Sequence, residues 1–134
     1  MTPAPVAIVA QEVVSSSFPQ MGRLLWAIRQ VEEVPGRPVS ERGEVGAYQF
    51  TPATWARFTE WPLWCALDEQ KARIVAETAL RAYGSELSAR GIPVTCYNLA
   101  CCWVAGDNAV VLHGFLSQKV KSYATRVSNL VNNP

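Results

Sequence analysis

Between positions 34 and 50 the chain carries Pro35, Gly36, Pro38, Gly43 and Gly46, a density of breakers that no α-helix survives. Apolar residues recur at helical spacing on both sides, so this segment must be a loop or a small β-turn structure joining helices. Before it, Leu24, Leu25, Ile28 and Val31 predict a helix from Met21 that Pro35-Gly36 stops. That leaves Glu32 and Glu33 in its last turn. After it, Thr51-Pro52 supplies a capping hydroxyl and an N1 proline for a helix to about Thr59, which Trp61-Pro62 closes. Asp68 then caps a long helix to Arg90, with Ile74, Val75, Ala79, Tyr83 and Leu87 as its buried stripe and Gly91 as its terminating residue.

Ile92-Pro93 opens a further helix through Trp103 and Val104, apolar on nearly all sides and therefore expected at the centre, with Gly106 ending it. Val120, Tyr123, Ala124, Val127, Leu130 and Val131 make an amphipathic C-terminal helix. Near the N-terminus, a short apolar run from Val6 to Val14 sits among Pro3, Pro5, Ser15 to Ser17 and Pro19. Residues 1–19 are expected as an extension or packed helix, and residues 20–134 as the main domain. A length of 134 residues favours one core over two. The expected class is mainly α.

Charge excludes more than it identifies. Twelve Lys and Arg against eleven Asp and Glu leave a net charge of +1, with no electrostatic case for nucleic acid or an acidic membrane surface. The longest apolar runs fall far short of the roughly 20 residues that span a bilayer as a helix. No Lys or Arg precedes Arg23, so a secretory signal with a basic n-region is not expected within these residues. Cys65, Cys96, Cys101 and Cys102 would allow three disulfide connectivities in an exported domain, but the last three fall in an apolar helix where thiols serve as small hydrophobes. With no CxxC pair and one histidine, His113, a zinc site is disfavoured, and His113 has no triad partner at a recognised spacing. No metal or cofactor is expected.

The chemistry worth pursuing lies at the end of the Met21 helix. Desolvation and the negative end of a helix dipole both raise a carboxyl's pKa, which suits it to donate a proton near neutral pH. Glu32 follows Ile28 by four positions and so leaves the edge of the buried face, whereas Glu33 is turned about 100° away. Taken alone, a Glu-Glu pair is explained more economically as a solvated helix terminus, since surface glutamates are common. Trp55, Phe58, Trp61 and Trp64 suit sugar stacking, but core packing and turn burial account for them more economically.

The residues around Glu32 carry more information together. Ala27-Ile28-Arg29-Gln30-Val31-Glu32 is followed by Gly46-Ala47-Tyr48-Gln49-Phe50-Thr51-Pro52-Ala53-Thr54-Trp55, then by Leu99-Ala100-Cys101-Cys102-Trp103-Val104-Ala105-Gly106 and Tyr123-Ala124-Thr125-Arg126-Val127. This ordered series, covering about residues 22–131, resembles the lysozyme-like lytic transglycosylases, including the soluble lytic transglycosylases and goose-type lysozymes. The resemblance implies a lysozyme-like fold whose short loop or β-turn region lines a cleft, and cleavage of peptidoglycan glycan strands by a monomer at the β-1,4 bond after the muramic residue. Glu32 would be the general acid and then base, with Tyr48, Gln49, Trp103 and Tyr123 contacting substrate. No carboxylate nucleophile is required if the sugar's own groups close an anhydro product. A hydrolase would need a second carboxylate, for which Glu44 stands ahead of Glu41 and Asp107. Two positions depart from the family pattern: Glu33 replaces the usual Ser, and Val104 replaces an Asn whose amide could hold a saccharide or water. A glycan-binding or assembly module of the same fold is therefore the alternative from a different functional class. The implied place of action is the cell wall or periplasm, or a virion-associated, endolysin-like setting.

Overall fold

The computed structural model describes residues 18–113 and 116–133, so the expected helix around Val6 to Val14 and the His113 side chain lie outside the described residues. The described chain is mainly α-helical: α1 (Met21–Glu32), α2 (Pro52–Phe58), a 3-10 helix (Leu63–Leu67), α3 (Glu69–Ala89), α4 (Cys96–Ala105), a π-helical turn (Ala109–His113) and α5 (Gln118–Asn132). The helix α4 packs most extensively on α5, which also packs on α1, while α3 closes the core against α1, α2 and α4. None of the described helices is long and apolar enough to cross a membrane.

Local chemistry sets most helix ends. The Thr51 side chain accepts the Thr54 N–H, Asp68 that of Lys71, and Ser117 that of Val120, each satisfying a donor the first turn leaves unpaired. At the end of α3, Gly91 at φ +70° donates its N–H to Ser88 while Ile92 donates to Leu87, a Schellman closure. That closure corrects the expected start of α4. Ile92 belongs to the end of α3, and α4 begins only at Cys96, where Thr95 accepts the Asn98 N–H. Leu99, Ala100, Cys101 and Cys102 of α4 are buried, but Val104 is exposed, so the helix is central along one side rather than all around.

Two further expectations change. Ile74 is 55% exposed, because the inner stripe of α3 runs through Ala72, Val75, Ala76, Ala79, Leu80, Tyr83 and Leu87, where small residues admit neighbouring helices. Trp61 and Trp64 are exposed at 39% and 70%, whereas Trp55 alone of the three is core. The turn at Pro62 throws the other two outward: the Trp61 carbonyl accepts the Trp55 indole N–H at 2.7 Å, and its ring receives the Lys71 ammonium at 5.6 Å. All four cysteines are buried free thiols, and burial pushes Cys102 up to about 12.

The breaker-rich segment folds into two small turns. Ser40 and Gly43 close the first, and Val45 and Phe50 exchange both backbone hydrogen bonds to close the second around residues 46–49. Val45 also bridges Val39. Phe50 anchors the assembly, meeting Trp55 edge-on at 4.9 Å and Trp103 at 5.4 Å. Each such contact adds about 0.5–1.5 kcal/mol beyond burial, so the loop is bound to α2 and α4 together.

Asp107, a lesser candidate for the second carboxylate, is instead buried and gripped by Arg57 through two 2.8 Å hydrogen bonds. Arg57 holds its carboxyl below the usual range despite burial. A depressed folded pKa stabilises above the unfolded value and is lost as pH falls through the folded one. Asp107→Asn is expected to lower stability at pH 7 by about 1–2 kcal/mol, at the small end for a buried pair because Arg57 stands half in solvent. Urea melts should show that deficit vanishing below pH 3.8, the ordinary Asp value.

Candidate active site

The side of α1 that buries Leu25 and Ile28 delivers Glu32 to a cavity of about 270 Å³ between α1, the two turns, and the facing sides of α4 and α5. Glu44 and Gln49 enter it from the turns, Thr51 and Thr54 from the start of α2, Trp103 and Val104 from α4, and Tyr123 from α5. The Tyr123 hydroxyl donates to Glu32 Oε2 at 2.8 Å across 91 positions of sequence. Burial raises the Glu32 pKa and Glu44 adds to the rise, while hydrogen bonds from Tyr123 and Trp103 oppose it. Burial and the adjacent Glu32 drive Tyr123 the same way, so its hydroxyl remains a donor.

Glu44 is oriented by its own turn. Ser40 Oγ accepts the Glu44 N–H at 3.0 Å and donates to Glu44 Oε1 at 3.1 Å. Gln49 is held at φ +53°, a left-handed conformation unusual outside glycine, with its amide Nε2 donating to the Gly46 carbonyl at 2.7 Å. The turn thus fixes the Gln49 side chain at the cavity wall.

Tyr48 is a correction. It does not line the cavity but lies buried beneath it, 3% exposed, with its ring edge-on to Trp103 at 6.5 Å and tilted against Phe50 at 6.3 Å. Side chains at successive positions of a tight turn diverge, so Gln49 and Tyr48 cannot both face the cleft. Glu33 points elsewhere as its helical phase requires, pairing with Arg29, which also bonds Glu69. These three line a separate cavity of about 250 Å³. Glu41 lies on the exposed turn outside the cleft lining. Sequence reasoning missed Arg42 and Lys119 at the cavity wall. No spacing signal links them, whereas Thr51 and Thr54 were legible as the cap and motif threonine of α2.

Chemically, the arrangement is a carboxyl held toward its protonated form, accessible from a groove and oriented by a phenol. Tyr123→Phe removes a hydrogen bond that favours the ionised carboxylate, so the Glu32 pKa is expected to rise further. Carboxyl-carbon NMR titration of the variant against the parent checks this; a shift to lower pKa would contradict the assigned sign.

The chain matches no protein-family model, no curated protein and no solved structure.

Proposed function

We propose that this protein is a peptidoglycan-cleaving glycosidase of the lysozyme-like, lytic transglycosylase kind, with Glu32 as its acid and base. The observation that carries the reading is the Glu32 carboxyl itself: half-buried, raised in pKa, bonded to Tyr123 and opening on a groove walled by Gln49 and Trp103. Protonation of the glycosidic oxygen by Glu32 lets the bond to the muramic carbon break, and the oxocarbenium-like centre is met by the sugar's own N-acetyl group. A sugar hydroxyl then closes on that carbon, giving its proton back to the Glu32 carboxylate and leaving an anhydro product. The low-polarity setting that raises the pKa favours the first step, and the Tyr123 hydrogen bond steadies the carboxylate for the second.

Hydrolysis is the second reading, favoured by Glu44, which shares the cavity and couples electrostatically to Glu32. A non-catalytic glycan module is the third, resting on Val104, whose exposed side chain offers no hydrogen bond at the groove. Muropeptide release from purified sacculi, with Glu32→Gln beside the parent, distinguishes them. Anhydro products from the parent alone support the transglycosylase and reducing ends the hydrolase. Equal release by both proteins removes Glu32 from the chemistry, and glycan binding without release by either supports the module.

A further inference from the structure

Two cations face the Glu32 cavity, Arg42 from the first turn and Lys119 from the first turn of α5. Neither side chain has a hydrogen-bonding or ion-pairing partner among the described residues. Glu44, the nearby carboxylate that could neutralise one of them, is instead tied to Ser40. Arg29, Arg57 and Arg81, by contrast, are engaged, by Glu33 and Glu69, by Asp107 and by Glu77 in turn. With Glu32 in its proton-donating form, the formal charges on the cavity wall are Arg42, Lys119 and Glu44, a positive balance in a groove otherwise lined by neutral groups. Walls of one charge sign concentrate ligands of the other.

We propose that Arg42 and Lys119 form an anion subsite that selects glycans bearing carboxylates over neutral ones. This rests on the glycosidase reading and adds to it a specificity that the carboxyl alone does not supply. A guanidinium grips a planar carboxylate with two parallel hydrogen bonds, and the ammonium acts as a point charge beside it. The carboxylate has two chemical sources, a lactyl ether on the sugar or a peptide attached to it. A bound anion beside Glu32 would also favour the protonated carboxyl, so the correct ligand would reinforce the acid.

The test is equilibrium binding to Glu32→Gln, which prevents turnover while preserving the cavity. Three probes are compared: a neutral N-acetylglucosamine oligomer, an alternating N-acetylglucosamine and N-acetylmuramic acid oligomer without peptides, and the same oligomer with peptide stems. Tighter binding of the second than the first assigns the sugar carboxylate, and a gain confined to the third assigns the peptide. Adding Arg42→Gln and Lys119→Gln should weaken the preferred acidic probe on the order of tenfold, the size of a lost charge-assisted hydrogen bond. The neutral probe should be unaffected. Both substitutions fall on exposed positions, and far-ultraviolet circular dichroism checks the fold. Equal binding of all three probes, or equal weakening of neutral and acidic probes in the double variant, overturns the subsite while leaving the glycan reading intact. Binding of none overturns both.

Discussion

Glu32→Gln should reduce glycan cleavage by about 10²–10⁴-fold, the usual contribution of a positioned general acid, while making the folded protein more stable at neutral pH. The activity loss follows from chemistry, since an amide neither donates a proton to a leaving oxygen nor takes one from an attacking hydroxyl. The stability gain follows from linkage. Burial gives Glu32 a higher pKa folded than unfolded, so the folded state binds more protons between the two values and stability declines as pH rises through that window. The penalty then persists above it. Glutamine keeps the shape and can still accept the Tyr123 hydrogen bond, but carries no charge to desolvate. Urea denaturation of both proteins should therefore show the variant ahead at pH 7, with the gap narrowing as pH falls through the raised value and gone once pH reaches 4.5, the ordinary Glu value. A variant less stable than the parent at pH 7, or a gap that does not change with pH, would count against a desolvated carboxyl. The parent's cleavage rate should likewise fall as pH rises through the raised value, because the proton donor is being lost.

Gly46→Ala is expected to be the most damaging alanine substitution among the described glycines. Gly46 sits at φ +83°, and a Cβ there would stand 2.1 Å from the Ala66 carbonyl oxygen, a backbone atom with no side-chain freedom to retreat. The left-handed conformation alone costs about 1–2 kcal/mol for a residue with a Cβ. Overpacking against a fixed atom adds about 1–3 kcal/mol. Together these are a large share of the roughly 5–15 kcal/mol that holds a typical domain. Gly43 provides the control: its φ is +80°, yet a Cβ would meet nothing within 4 Å. Gly43→Ala should therefore show only the conformational part, and the difference in urea midpoint between the two variants measures the clash. Cleavage should fall with Gly46→Ala even where the protein remains folded. The same turn holds Gln49 through the Gly46 carbonyl, and pushing it off the Ala66 backbone moves the cleft wall.

The effects of both substitutions bear on what could be known without coordinates. Gly46 was legible as a breaker in a loop, and that much follows from its backbone freedom. Its intolerance of a methyl was not legible, because the opposing atom belongs to Ala66. The same division runs through the site. Glu32 could be placed at the edge of a buried helix face by counting from Ile28 and Leu25, since helical phase is a local property. Tyr48 and Gln49 were read together as cleft residues, and the turn separated them, sending one into an aromatic cluster and the other to the groove. Trp64 has the hydropathy of a core residue, yet it stands exposed, because none of the described elements covers that face of the short 3-10 helix after Pro62.

Sequence by itself determined the helical class, the interruption after Glu33, and the ends marked by Thr51, Asp68 and Gly91. Each of these rests on hydrogen bonds or steric limits within about five residues, so the information is present in the local order. Only the tertiary structure brought Tyr123 to Glu32 and set Arg42 and Lys119 around the same cavity. Those relations depend on how α1, α4 and α5 pack, and on how much water that packing excludes. The state of the Glu32 proton is thus a property of the assembled core rather than of any segment.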